Sequence, residues 1–244
     1  MARLTDAIKH LLIINILFFV ATQLYSNQMY HLFSMWFPKN DNFQVWQVIT
    51  HMFMHGSVMH IVANMFVLWM FGSPLEKMWG RNKFLFFYFS AGLGALLLQT
   101  GANYYFFSQS LDVLVHAGAV KTEIIDTLIE GQYNTGWYDL TSQDVVDNML
   151  SEFNGRMLGA SGATAGIMVA FAFMFPNMEL MLMFLPVPIK AKYFVPLYFI
   201  GDFYYGFSNA GDGIAHFAHI GGALLGFIMM WYWKKNQFNG NRWN

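Results

Sequence analysis

Six stretches of the chain are apolar over a length close to what a bilayer requires, and the polar residues gather between them. They run roughly over residues 8–24, 55–71, 84–105, 160–175, 193–207 and 214–233. A helix needs about 20 mostly apolar residues to cross the hydrocarbon, fewer when its ends sit in the interface. The pattern predicts an all-α polytopic membrane protein, a bundle of six transmembrane helices forming one domain over residues 1–244. The first stretch follows Arg3 and Lys9 with no small-x-small cleavage site behind it, so it reads as a retained helix and not a removed signal.

Two segments between the stretches are too long for turns. Residues 26–50 carry Tyr30, Trp36, Phe37, Phe43 and Trp46, amphipathic rings that favour the headgroup level, which predicts an interfacial first loop. Residues 108–157 hold Asp112, Glu123, Asp126, Glu130, Asp139, Asp144, Asp147 and Glu152 against Lys121 and Arg156. This is an acidic extramembrane insert between helices three and four. Within it Thr122 leads into Ile124, Ile125, Leu128 and Ile129, closed by Gly131. Thr141 leads into Val145, Val146, Met149, Leu150 and Phe153, stopped by Asn154-Gly155. Both read as short amphipathic helices.

Charge placement orients the bundle. Ten of the thirteen Lys and Arg (Arg3, Lys9, Lys77, Arg81, Lys83, Lys190, Lys192, Lys234, Lys235 and Arg242) fall on one side under six crossings. Positive loops stay cytoplasmic, and an even helix count puts both termini there too. The expectation is a multi-pass integral membrane protein with both termini cytoplasmic.

Composition narrows the chemistry. Only 11% of residues are charged and 56% are hydrophobic, too few charges to solvate a soluble enzyme. Fourteen acids balance thirteen bases, so no basic face exists for a nucleic acid. With no cysteine, disulfides, thiolate zinc sites and a thiol nucleophile are excluded. Any nucleophile must be an oxygen.

Polar side chains inside predicted spans are costly, so each is a functional candidate. Helix four opens on Gly159-Ala160-Ser161-Gly162, with Gly166 one turn on. Ser161 then sits in the first turn, where free N–H groups and the positive helix end favour a developing oxyanion. The alternative is that Ser161 and its glycines serve close helix packing alone. Helix six carries His219, Gly222 and Gly226, and the two glycines form a small-xxx-small face. If that face packs on Gly162 and Gly166, His219 comes within reach of Ser161, at hydrogen-bond range of about 3 Å. A structural hydrogen bond is the competing role for His219, and His216 reads as structural or interfacial. Helix two opens with His51, His55, His60 and Asn64. His60 and Asn64 stand at i and i+4, so their N–H donors converge as an oxyanion hole requires. His51 and His55 share that spacing, which with 18 Met raises a copper or bis-His haem site as a rival. Scattered Met and the absence of a His-Glu-x-x-His pattern count against it, so neither metal nor cofactor is expected.

Taken together, these residues resemble the rhomboid family of intramembrane serine proteases over essentially all six helices. His55-x-x-x-x-His60-x-x-x-Asn64, Gly159-x-Ser161-Gly162 and His219-x-x-Gly222-x-x-x-Gly226 occur in the family's order, and Glu76 followed by Gly80 also matches. The resemblance implies a Ser161–His219 dyad without an aspartate and cleavage of transmembrane protein substrates within the lipid bilayer. It further implies a place in a bacterial inner (plasma) membrane and an active site below the outer surface and opening to it, with His60, Asn64 and the Ser161 backbone N–H holding the oxyanion. His55 is implied to be a structural hydrogen-bonding partner of the neighbouring loop, with Gly159, Gly162, Gly222 and Gly226 shaping the site. Two positions depart from the family. Ala165 stands where many members carry an aromatic that packs on the catalytic imidazole, which leaves Phe203 or Tyr204 to orient His219. Trp46-Gln47 replaces a frequent Trp-Arg pair, removing an arginine as the loop anchor. Asp202 reads as a structural hydrogen-bonder and not a catalytic acid. The other function weighed is a catalytically inactive rhomboid-like protein that binds membrane proteins.

Overall fold

The computed structural model describes residues 4–182, 185–208 and 215–236. Arg3, Ile214 and Arg242 of the sequence reading lie outside them. In chain order the elements begin with α1 (Asp6–Leu24), α2 (Ser26–Phe33), β1 (Met35–Trp36) and α3 (Gln47–Thr50), which runs into a 3-10 turn at His51–Phe53. Next come α4 (Val58–Val67), a π turn at Leu68–Gly72 and α5 (Ser73–Trp79), which form one rod, and then α6 (Arg81–His116). The insert holds α7 (Lys121–Ile129), α8 (Trp137–Leu140), α9 (Gln143–Asn154) and β2 (Arg156–Met157). After it follow α10 (Ser161–Met174), the antiparallel β3 (Glu179–Leu182) and β4 (Leu185–Lys190), α11 (Ala191–Phe207) and α12 (His216–Asn236). The chain is an all-α membrane bundle, and among the described residues six rods follow the six apolar stretches. The rod from Val58 to Trp79 is continuous despite Pro74, which lacks an N–H to donate back along the helix; the π turn stands just before it.

Among the described residues, three helices are long and apolar enough to cross a membrane by length and composition: Asp6–Leu24, Val58–Trp79 and Arg81–His116. Ser161–Met174 is apolar but shorter. Large apolar side chains such as Leu17, Leu97, Leu197 and Ile200 lie exposed on the outside of the bundle. Hydrocarbon is the solvent that such a surface fits.

The bundle is tied together by two devices that the sequence contains in plain sight. Glu76, buried in the second rod, accepts hydrogen bonds from the Ala7 and Ile8 backbone N–H groups at 2.8 and 3.1 Å and from the Thr5 hydroxyl. Those N–H groups begin α1 and have no partner within it, so a carboxylate there satisfies them and the helix dipole together. The second device is the glycine face. A Cβ placed on Gly222 would lie 1.9 Å from the Gly162 carbonyl oxygen, and one on Gly226 would lie 2.8 Å from the Gly166 Cα. Hence α10 and α12 touch backbone to backbone, as their glycine spacing predicts.

The insert differs from its expected boundaries. Helix three does not stop near residue 105 but runs 36 residues to His116, about 54 Å at 1.5 Å per residue, nearly twice the hydrocarbon thickness of about 30 Å. Phe107, Leu111 and Leu114, at i, i+4 and i+7, continue its apolar face past the bilayer and pack with Val146, Met149 and Phe153 of α9. An apolar face can outlast the membrane when another helix covers it. Phe37 belongs to this second core too: it is 2% exposed and lies against Tyr104, Phe107 and Phe153, not in the interface. The two insert helices are present, but their N-caps are Val120 and Ser142 without side-chain bonds, in place of Thr122 and Thr141. Pairing of Met35–Trp36 with Arg156–Met157 and a bond from Asn40 Nδ2 to the Phe153 carbonyl (3.1 Å) lock the first loop to the end of the insert.

Glu152 on α9 gives the insert a pH dependence. Burial pushes its carboxyl up to about 7 from an ordinary 4.5. Between those values the unfolded chain has released the proton and the folded chain retains it, so stability falls as pH rises through this window and stays low above it. Glu152→Gln is expected to raise the melting temperature at pH 8 and leave it near wild type at pH 4.5. An equal change at both pH values would show that ionisation of Glu152 is not the cause.

Candidate active site

α10 starts at Ser161, so its backbone N–H has no intrahelical partner and its side chain opens on a cavity of about 590 Å³. His60 and Asn64 from α4, Thr164 and Ala165 from α10, Tyr198 from α11 and His219 from α12 share that cavity with Ser161. Residues predicted from three separate helices thus meet at one place. Ser161 and His219 face the same space without a direct hydrogen bond between them, so the 3 Å approach expected from the sequence is not made in this state.

The donors are positioned by local bonds. The Gly56 N–H approaches His60 Nδ1 at 3.4 Å, and an imidazole that accepts at Nδ1 carries its proton on Nε2. That Nε2 points at Gly159, whose φ is +121°. A Cβ built on Gly159 would lie 2.8 Å from His60 Nε2 and 3.5 Å from Ser161 Oγ. Glycine therefore leaves open the space between hydroxyl and donor, in a backbone conformation that other residues resist. Its N–H is fixed by the His51 carbonyl at 2.9 Å. Asn64, buried, gives one amide hydrogen to the His60 carbonyl (2.9 Å) and accepts from the Thr164 hydroxyl (3.2 Å). The second amide hydrogen remains for the cavity. Thr164 escaped the sequence reading because a threonine one turn into an apolar helix looks like any small packing residue.

A family profile described as the rhomboid domain matches residues 42–121 and 128–236. The chain belongs to the rhomboid family. It is similar to rhomboid protein 1, mitochondrial, of Saccharomyces cerevisiae, 24% identical over 77% of this chain and 42% of that protein. It is also similar to rhomboid-like protease 3 of Toxoplasma gondii (41% identical; 25% of this chain, 23% of that one) and to rhomboid protease GlpG of Salmonella newport (35%; 29% and 26%). The chain spans less than half the length of these relatives.

Within this rhomboid the surroundings of the histidines differ from expectation. His219 is not oriented by Phe203 or Tyr204, which are 57% and 69% exposed. Its Nδ1 instead lies 3.2 Å from Asp202 Oδ2, and His216 Nδ1 lies 2.7 Å from Oδ1 of the same carboxylate. An imidazole without a carboxylate partner, as the resemblance implies, is therefore not what the fold builds. The acid was visible in the sequence, but its position in a different helix, 17 residues from His219, concealed the pairing. His55 is fully buried, yet neither ring nitrogen makes a hydrogen bond of ordinary geometry; its ring packs edge-on against His60 at 4.9 Å between centroids. It supports the site through that contact and through the backbone of Phe53 in the adjoining 3-10 turn. The rival pairing of His51 with His55 does not form a helical face, because extended Met54 separates them. His51 donates from Nδ1 to the Gln47 carbonyl at 2.7 Å, and burial holds its pKa down at about 4.

The loop anchor lost with arginine is replaced. Gln47 is fully buried; its amide N–H groups reach the carbonyls of Asn42 (2.9 Å) and His31 (3.2 Å), while its oxygen accepts from the Gln44 N–H (3.1 Å). Arg156 supplies the cation elsewhere, stacking over Tyr30 and Trp36 at 5.1 and 5.3 Å.

Proposed function

We propose that this rhomboid is an intramembrane serine endopeptidase that hydrolyses peptide bonds in or near transmembrane segments of membrane proteins, with Ser161 as nucleophile and His219 as general base. The observation that carries the reading is the open point beside Gly159, within reach of both the Ser161 hydroxyl and the His60 N–H. A scissile carbonyl placed there has an attacking oxygen on one side and donors on the other. His219 takes the hydroxyl proton as Ser161 Oγ bonds to the carbonyl carbon. Negative charge then moves to the carbonyl oxygen, where His60 Nε2–H, the Asn64 amide and the Ser161 N–H stabilise it. His219 returns the proton to the leaving amine, and water entering the cavity releases the acyl group by the same steps. These groups need no cofactor or metal.

Substrate helices must open before their carbonyls can enter, since an intact helix uses them in its own hydrogen bonds. In the proposed topology both termini are cytoplasmic, residues 1–244 form one rhomboid domain with 108–157 as an acidic insert, and the cavity opens to the outer face of a bacterial inner membrane. A fluorophosphonate probe is expected to label the purified wild type in detergent and to leave Ser161→Ala unlabelled. Persistent labelling of the variant would reject Ser161 as nucleophile. A wild type that neither labels nor cleaves transmembrane segments carrying helix-breaking residues would favour a binding protein without catalysis.

A further inference from the structure

Asp202 is 7% exposed in the middle of α11, where an unpaired carboxylate would be expensive. It faces α12, and both of its oxygens are engaged there: Oδ1 by His216 Nδ1 at 2.7 Å and Oδ2 by His219 Nδ1 at 3.2 Å. His216 and His219 are three residues apart and present their rings to one face of α12, 6.4 Å between centroids. On the far side of His216 the Tyr205 ring stacks at 5.9 Å. One carboxylate is thus gripped from two directions and cannot swing without breaking a bond to each histidine.

We propose that Asp202 is a positioning residue for His219, and that His216 holds Asp202 in place, so that a His216–Asp202–His219 chain sets the tautomer and aim of the catalytic base. This rests on the protease reading above. A neutral imidazole has one N–H; when Nδ1–H is bound to a carboxylate, the lone pair is left on Nε2. Nε2 is the nitrogen on the ring's opposite side, and the cavity is what His219 otherwise faces. The same carboxylate stabilises the imidazolium that forms when Ser161 gives up its proton. The three side chains also offer ligand atoms within 4.8 Å of one another, an arrangement that could hold a divalent cation. Ligands about 2.0 Å from a tetrahedral ion stand about 3.3 Å apart, however, and the 2.7 Å between His216 Nδ1 and Asp202 Oδ1 is the length of a hydrogen bond.

The decisive variant is Asp202→Asn, which keeps size and loses charge. An amide facing Nδ1 reverses the hydrogen-bond polarity and favours the wrong tautomer. In EDTA-containing detergent buffer, kcat is expected to fall about 100- to 10,000-fold, with KM within about threefold and the melting temperature near wild type. Fluorophosphonate labelling of Ser161 should slow by a similar factor. Asp202→Glu should recover part of kcat, and His216→Gln should lose about tenfold. An Asp202→Asn enzyme with kcat within threefold of wild type overturns the proposal. So does a loss of activity that tracks a fall in melting temperature and is not relieved by Asp202→Glu, which assigns Asp202 to folding. Wild-type protein that neither cleaves nor labels removes the protease reading first, and this one with it.

Discussion

Ser161→Ala and His219→Ala are each expected to lower the cleavage rate on the order of 10⁴-fold or more, and the double variant is expected to lose no more than the worse of the two. In the proposed mechanism the two groups act in one event. Without the imidazole, the hydroxyl at neutral pH is almost entirely protonated and a weak nucleophile; without the hydroxyl, the imidazole has nothing to deprotonate. What survives in either variant is attack by water, aided by donors that remain in place: His60 Nε2, the Asn64 amide fixed by Thr164, and the N–H at the start of α10. Comparison of initial rates for the four proteins on one transmembrane substrate is the test. Losses that multiply in the double variant would mean that Ser161 and His219 contribute independently, which the proposed mechanism forbids.

Gly222→Ala carries the largest expected effect on stability. The new Cβ would lie 1.9 Å from the Gly162 carbonyl oxygen and 2.7 Å from its carbon. Both are backbone atoms of a helix, and neither can rotate away as a side chain would. The two helices must separate, and with them the flanking contacts of Gly166 with Gly222 and of Gly226 with Gly166. Overpacking in a closed core typically costs about 1–3 kcal/mol when side chains can adjust; here the cost should reach the top of that range or exceed it. Separation also moves His219 relative to Ser161, so activity should disappear in molecules that remain folded. Gly101→Ala in α6 is the matched comparison, since nothing lies within 4 Å of its Cβ position, and it should be neutral or slightly stabilising. Unfolding midpoints in a mixed detergent series would separate the two. A Gly222→Ala protein as stable as Gly101→Ala would contradict backbone contact between α10 and α12.

How much could be read in advance depended on whether a residue's partner was local or remote. Asn154-Gly155 ends α9 where expected, because its stop signal lies in the adjacent residues. Helix three did not end where expected, since the apolar run of Phe107, Leu111 and Leu114 is ambiguous until α9 is known to cover it. Phe37 shows the same limit. An amphipathic loop is rich in rings whether they face lipid headgroups or a small core, and only the pairing of β1 with β2 decides between them.

The chain order of hydrophobic stretches, the exclusion of thiol chemistry and the identity of the polar residues that had to be paired inside the bundle were all determined by the amino-acid sequence alone, because each follows from side-chain solvation. The glycine faces of α10 and α12 were legible as well, since small residues four apart can present backbone in only one direction. What those faces brought together was decided by the tertiary structure: Ser161, His60 and Asn64 around one cavity, Thr164 behind Asn64, and above all Asp202 against two histidines of another helix. A carboxylate in a membrane helix announces that it needs a partner but not which one. Direction and distance across helices select it, and those exist only after the helices have packed.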